Sequence, residues 1–489
     1  LLLATGARAD SQPLEFHLTF EKNVSEKPFT GRVYVMLSKE PATNLRSGPS
    51  WFRPEPFFAL DVKDWKPGEP LVLGKNALGY PATLDKLATG TWSIQAVMDF
   101  DRGNISFSTA PGNGYSEPLR RDLNAAESGT VKLTLNQVYK PRAFVESENV
   151  KLVEIESKLL SDFHHTMTKM RAAVVLPESY TDSPHKQYPV VYEIPGFGGT
   201  HFGATGAARR KATNVAGTDM LYVVLDPSCR LGHHVFADSA NNGPCGRGLV
   251  EELIPAIEKQ FRAVAVPSGR FLTGHSSGGW SSLWLQVTYP DFFGGVWSTS
   301  PDPVDFRDFQ RIDLYKPGVN MFVDADGKDR PLARRDKKPV LFYKPFSDME
   351  VVMGHGGQLS SFDAVFSPHG KDGKPMHLWN RTTGDVDAEV ARAWEKYDIR
   401  LQLERNWKTL APKLAGKLHV YTGGEDTFYL EGAVALLKES LKKLGSDAVI
   451  EIVPDKDHGT LLDAKMRQRI AREMADQYQR LQAKADRPD

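Results

Sequence analysis

Two grammars follow one another along the chain. From Leu14 to about Val138, apolar and polar residues alternate in short runs, LEFHLTF, GRVYVMLS, TWSIQAVMDF and GTVKLTLNQV. Alternation with period two turns one face of a strand to a core and the other to water. Turn-rich stretches such as SGPSWFRPEP and APGNGYSEP separate the runs, and no long helical pattern interrupts them. The pattern predicts a β-sandwich-like N-terminal domain over residues 10–140. Its aromatics Trp51, Phe52 and Trp92 read as core or interdomain packing before they read as a carbohydrate platform.

From about Phe144 the grammar changes. VKLVEIES and MRAAVVLPESY are strand-like, and YPVVYEIPG, MLYVVLD, FLTG, GGVWSTS, KLHVYTGG and AVIEIVP are apolar runs of buried-strand type. Helical segments such as LVEELIPAIEKQFRA and LEGAVALLKESLKKLG lie between most of them. Such alternation predicts an α/β domain over 144–489, a mainly parallel sheet with helices on both faces. Between Asp302 and Lys417 the chain is long, charged and irregular, closing in a helical pattern, EVARAWEKYDIRLQLERNW. Structureless loops of that length are uncommon in compact domains, so the segment at about 303–417 reads as an inserted cap.

The 489 residues exceed what one core ordinarily organises, in keeping with two domains. Lys+Arg and Asp+Glu both number 61, so no net charge favours nucleic acid or an anionic membrane as partner. No apolar run approaches a membrane span, and nothing in the pattern sets an oligomeric state. The opening LLLATGARAD has an apolar stretch followed by Ala7-Arg8-Ala9, an A-x-A-type cleavage site. Residues 1–9 are therefore expected to be a signal-peptide remnant, with export to the periplasm or the exterior. In that compartment Cys229 and Cys245 are expected to form one disulfide. There is no C-x-x-C, no zinc-spaced His/Cys cluster and no H-E-x-x-H, so neither metal nor organic cofactor is expected. Asp324-Ala325-Asp326-Gly327 lacks the further ligands of a calcium loop and reads as a turn.

One short stretch carries chemistry. In RFLTGHSSGGW, Arg270 to Trp280, a G-x-S-x-G pattern centred on Ser276 joins a strand-like run to a helical one. On a strand-to-helix turn this spacing defines a nucleophile elbow. A serine nucleophile needs a base, a group that orients the base, and donors for an oxyanion. His458, in IVPDKDHGTL, follows a strand run and is the candidate base. Asp426, in HVYTGGEDTFY, is the candidate acid, with its neighbour Glu425 the competitor and Asp302 and Asp305 weaker choices. Oxyanion donors are expected from the N–H of Ser277 and from the loop Pro195-Gly196-Phe197-Gly198-Gly199, with Phe197 ahead of Gly198. His233, His234, Asn241 and Asn242 precede the helix LVEELIPAIEKQF and are either substrate contacts at the rim of the site or loop packing.

With these motifs in hand, the chain from about Phe144 onward resembles the esterase D-like branch of the α/β-hydrolases. That branch includes feruloyl and acetylxylan esterases, enterochelin-type siderophore esterases, S-formylglutathione hydrolase and bacterial mycolyltransferases. The likeness rests on YPVVYEIPGFGG, FADSANNGPCGRGLVEELIPAIEKQFRA, TGHSSGGWSSLWLQVTYPDFFGG and the acid and His loops. It implies Ser276 as nucleophile, Asp426 as acid, His458 as base and a small-molecule or oligosaccharide ester as substrate. The β-rich N-terminal region and the cap depart from the compact family pattern. Together with export they point to a carbohydrate-linked acyl or hydroxycinnamoyl ester. A siderophore esterase, an acyltransferase on the same triad and a catalytically dead binding protein are the alternatives. The cap aromatics Phe362, Phe366, Trp379 and Trp394 form either an aromatic acyl pocket or a small core of the cap's own.

Overall fold

The structure, a computed structural model, describes residues 12–41, 44–46, 48–101 and 106–485; the expected signal remnant lies outside them. The chain forms two compact units. One holds the described residues up to Ala143 together with Lys344–Gly357, the other Phe144–Tyr343 and the described residues from Gln358 onward.

Among the described residues of the first unit, nine strands form one hydrogen-bonded network. Its order is Leu71–Leu73, Glu15–Phe20, Thr130–Val138, Gly114–Ser116, Gly90–Asp99, Phe29–Ser38, Phe57–Trp65 and Leu78–Tyr80, with Leu119–Leu123 also on Gly90–Asp99. Glu15–Phe20 buries alternate residues, Phe16, Leu18 and Phe20, as its pattern requires. Phe29–Ser38 and Gly90–Asp99 have long stretches buried on both faces, and polar residues buried on the face away from the core, Ser38, Ser93, Gln95 and Asp99, are hydrogen-bonded. Trp92 is core, its indole N–H donating to Ala88 O at 3.1 Å. The helix Tyr343–Met353 ends among these strands. Arg32 Nη1 donates to the carbonyls of Val351 and Val352 at 2.9 and 3.1 Å, and Tyr34 OH to that of Met353 at 2.5 Å. These bonds satisfy carbonyls that a helix C-terminus leaves open.

The second unit is built on an eight-stranded sheet in the order Val150–Glu156, Lys169–Val175, Leu221–Leu225, Val190–Ile194, Arg270–His275, Gly295–Thr299, Leu418–Gly423, Val449–Val453. Lys169–Val175 runs antiparallel to both neighbours, and from Leu221–Leu225 to Val449–Val453 every pairing is parallel. The mixed sheet with an inverted second strand is an α/β-hydrolase-like architecture. Phe271, Trp297 and Tyr421 pack with Met466, Ile470 and Met474 of the helix Ala464–Ala485. No helix among the described residues is long and apolar enough to cross a membrane.

Two local readings are corrected. EVARAWEKYDIRLQLERNW forms two α-helices, Ala388–Trp394 and Ile399–Leu414, because Asp398 takes an extended conformation and its carboxylate accepts Leu401 N–H at 2.8 Å as an N-cap. LVEELIPAIEKQF opens with a wide i→i+5 turn over Leu249–Leu253 before the α-helix Ile254–Gln260. Pro255 has no N–H to donate, which disfavours a regular α-helical turn there. The aromatics of the segment at 303–417 resolve as core. Phe362, Phe366, Trp379 and Trp394 are all buried, and the Phe366 ring lies 5.0 Å from Trp394 and 5.1 Å from Trp280.

Candidate active site

Ser276 sits between the strand Arg270–His275 and the helix Ser277–Thr288 with φ 61° and ψ −125°. A non-glycine residue held in such a region costs about 1–3 kcal/mol and persists only where its surroundings fix it. Its N–H donates to Thr299 O at 3.0 Å, and its carbonyl accepts Trp280 N–H at 3.0 Å and Asp302 N–H at 3.2 Å. The two motif glycines answer to close approach. A Cβ at Gly278 would lie 1.9 Å from Ile194 O, and one at Gly274 would lie 2.1 Å from Gly278 O. Strand and helix therefore meet backbone to backbone around Ser276.

His458 and Asp426 follow two neighbouring strands, Val449–Val453 and Leu418–Gly423, at their carboxyl ends. His458 Nδ1 donates to Asp426 Oδ2 at 2.8 Å, and Asp426 is fully buried. This bond leaves Nε2 as the unprotonated nitrogen, the form a general base requires. Burial disfavours the imidazolium, but the hydrogen bond and charge of Asp426, helped by Asp302 and Asp457, outweigh it and raise the His458 pKa above the ordinary value. Phe428 N–H donates to Asp426 Oδ1 at 2.9 Å, and Arg334 Nε donates to the Asp426 carbonyl at 2.9 Å. Glu425 faces Arg334 at 3.7 Å and Lys337 at 3.3 Å, while Asp426 holds the imidazole. Asp305 is spent on Arg307 and Arg400, at 2.6 and 3.3 Å.

The sequence undervalued two neighbours. Asp302, 7 % exposed, accepts the Ser277 hydroxyl at 2.6 Å through Oδ2 and lies 3.5 Å from Ser276 Oγ through Oδ1. Burial pushes its carboxyl up to about 6, against the Ser277 hydrogen bond and the charge of His458. The His275 ring lies 4.4 Å from that of His458, centroid to centroid. Burial, and then the His458 charge, lower His275 to about 4, so it stays neutral.

The loop after Val190–Ile194 comes up against the elbow. A Cβ at Gly196 would lie 3.4 Å from Ser276 Cβ, and Gly199 N–H donates to Gly196 O at 2.9 Å, closing a turn with Gly198 at φ 79°. Phe197 and Gly198 thus occupy the central positions of a turn beside Ser276. His233 anchors this loop. Its Nδ1 accepts Val235 N–H at 3.1 Å, so Nε2 carries the proton and donates to Pro195 O at 2.8 Å. Burial holds its pKa near 4, and that of His234 near 3. His234 Nδ1 accepts Phe236 N–H at 3.1 Å. Asn241 Nδ2 donates to the carbonyls of Ala364 and Ser367 at 3.2 and 3.0 Å. Asn242 N–H donates to Ser239 Oγ at 3.0 Å. The rim candidates thus spend polar atoms on holding loops. The expected disulfide is corrected: Cys229 and Cys245 are free thiols. Each sulfur instead faces Asn242, Cys229 at Oδ1 (3.6 Å) and Cys245 at the carbonyl (3.2 Å).

An α/β-hydrolase-like sheet with a strained serine at the end of its fifth strand in chain order defines the class. The family described as "Putative esterase" matches residues 164–443, more than half of the chain. The chain belongs to this esterase family and is a carboxylic ester hydrolase. The matched span contains Ser276, Asp302 and Asp426, and His458 lies beyond it. No curated protein matches the chain. Among solved structures, a ferulic acid esterase aligns at 15 % identity and TM-score 0.42, over 68 % of this chain and 98 % of its own. The S-formylglutathione hydrolase from Agrobacterium tumefaciens aligns at 16 % identity and TM-score 0.42, over 67 % and 95 %. The CE1 ferulic acid esterase from Anaeromyces mucronatus aligns at 14 % identity and TM-score 0.34, over 70 % and 95 %. The assignment rests on the family match.

Proposed function

We propose that the chain hydrolyses its ester through an acyl-enzyme on Ser276, with His458 as base and Asp426 as the acid that orients it. The observation that carries this reading is the 2.8 Å bond from His458 Nδ1 to the buried Asp426, in a unit whose elbow holds Ser276 at φ 61°. Ser276 Oγ attacks the ester carbonyl as His458 Nε2 takes its proton. The N–H groups of Phe197 and Ser277 donate to the tetrahedral oxyanion. The alcohol leaves with the proton from His458, and water releases the acid by the same steps in reverse roles.

On substrate, the reading is a carbohydrate-linked acyl or hydroxycinnamoyl ester, with the β-rich N-terminal unit an accessory to its recognition. Family membership supports the ester; the acyl group rests on the likeness in sequence to feruloyl and acetylxylan esterases. The test is turnover of p-nitrophenyl acetate, butyrate, octanoate and ferulate by the protein and by Ser276→Ala. Ser276→Ala is expected to lower kcat by roughly a factor of a million, as for other serine triads. Near-wild-type turnover by that variant would sink the assignment, and a preference for octanoate over ferulate would sink the hydroxycinnamoyl reading.

A further inference from the structure

We propose that Asp302 is a further catalytic residue: a second carboxylate, facing the nucleophile oxygen, that acts in its ionised form to stabilise the imidazolium of His458 as Ser276 attacks. The inference rests on the reading of Ser276 as nucleophile and adds a fourth group to the three it names.

The placement is specific. Asp302 follows the strand Gly295–Thr299, next in the sheet to the strand that ends at the elbow. Its own N–H donates to the Ser276 carbonyl at 3.2 Å, so the backbone of the nucleophile fixes where the carboxyl begins. Oδ2 is held by the Ser277 hydroxyl at 2.6 Å, and that hydroxyl oxygen in turn accepts Gln358 Nε2 at 3.4 Å. Oδ1 is left with only the 3.5 Å contact to Ser276 Oγ, too long for a strong hydrogen bond.

The charged and titratable groups around it come from four elements. His458 and Asp426 lie on the two loops already described, Ser276 and Ser277 on the elbow, and Tyr343 begins the helix Tyr343–Met353. No arginine or lysine among the described residues forms an ion pair with it. A buried carboxylate without a cation is costly in the resting site. The one cation that appears during the reaction is the imidazolium, and its charge interacts favourably with Asp302. The interaction is therefore stronger in the transition state than in the ground state, which is the condition for lowering the barrier. The raised carboxyl pKa, about 6, fits a group that lacks a partner until then.

The test is the pH dependence of kcat/KM and of the rate at which a fluorophosphonate labels Ser276. It is measured for the wild type, Asp302→Asn and Ser277→Ala, with thermal melts of each. In the wild type the acid limb is expected to be steeper than one proton, because Asp302 and His458 both protonate there as a coupled pair. Asp302→Asn removes the charge that raises His458. Its limb should become single-proton and move down by roughly half a pH unit or more, with the plateau about tenfold lower. Ser277→Ala keeps the backbone N–H but loses the hydroxyl that holds Asp302 ionised, so its limb should move up. Shifts of opposite sign are not produced by a general loosening of the site. An unmoved limb in folded Asp302→Asn, or shifts of the same sign in both variants, overturns the proposal. Should Asp302→Asn fail to fold, Ser277→Ala decides alone: an upward shift supports the proposal and no shift overturns it. Wild-type protein that is not labelled at Ser276 overturns the nucleophile reading and this inference with it. Labelled Ser276 with unmoved limbs overturns only the role of Asp302.

Discussion

Gly278→Ala tests whether the elbow is set by backbone contact. The new Cβ would lie 1.9 Å from Ile194 O, 2.8 Å from Ile194 C and 2.9 Å from Pro195 C. A carbon and a carbonyl oxygen approach no closer than about 3 Å, so one of the two backbones must retreat by about 1 Å or more. Neither side yields freely: Ile194 ends a strand paired on both sides, and Gly278 lies in the first turn of the helix behind Ser276. Overpacking of this kind costs about 1–3 kcal/mol. The unit that holds Gly278, Phe144–Tyr343 with Gln358–Asp489, has an unfolding entropy of roughly 0.7 kcal/mol/K, so that is a fall in Tm of roughly 1–4 °C. Under the proposed mechanism function should suffer more than stability, because the displaced atoms belong to the turn at Ser276 and to the loop carrying Phe197. A misplacement of about 1 Å is expected to lower kcat about a hundredfold. The control is Gly203→Ala, whose Cβ would meet only Val224 Cγ1 at 3.5 Å, an ordinary contact; its kcat and Tm should stay near wild type. The assay is kcat on p-nitrophenyl acetate beside a thermal melt. Wild-type kcat and Tm in Gly278→Ala would refute the backbone-contact explanation of the motif.

Exchanging the two adjacent acids separates their roles. Asp426→Asn should lower kcat by about 10⁴, through the wrong imidazole tautomer. Glu425→Gln, which loses only its ion pairs with Arg334 and Lys337, should stay within about threefold of wild type, since such pairs contribute about 1 kcal/mol or less. Equal losses in the two variants would contradict the assignment. Burial pushes the Cys229 thiol up to about 12 and raises Cys245 as well. Both should therefore resist iodoacetamide at pH 8 in the folded protein and react on unfolding. A reductant should leave Tm unchanged, and a Tm several degrees lower in dithiothreitol would show a disulfide after all.

What the sequence discloses and what it withholds divide along the range of the interactions. The elbow is legible because its cause is local: glycines two positions either side of Ser276 are demanded by a strand and a helix that touch there. The central strands of the eight-stranded sheet, such as Leu221–Leu225 and Gly295–Thr299, are legible for a similar reason, since a strand buried on both faces reads as an apolar run, whereas the edge strands Val150–Glu156 and Val449–Val453 are only partly buried. The choice between Glu425 and Asp426 has no local cause. The partners that tell the two apart lie far along the chain: Arg334, 92 positions before Asp426, faces the Glu425 carboxylate, and His458, 32 positions after Asp426, takes its carboxylate. His233 and Asn241 look like rim residues because their loop is polar, but Pro195, Ala364 and Ser367 take their hydrogen bonds, and none is a sequence neighbour. The helix within Tyr343–Met353 is amphipathic in sequence, and nothing in its pattern names the unit whose strands cap its end. Asp302 is the sharpest case. In sequence it is only a weaker choice for the acid, in a Pro-Asp-Pro turn, and the role proposed for it arises only when the elbow places Ser276 Oγ and Ser277 Oγ beside it. Interactions that close over long stretches of chain therefore carry the part of the mechanism that motif reading cannot reach, and substitutions there are the ones that discriminate between accounts of the site.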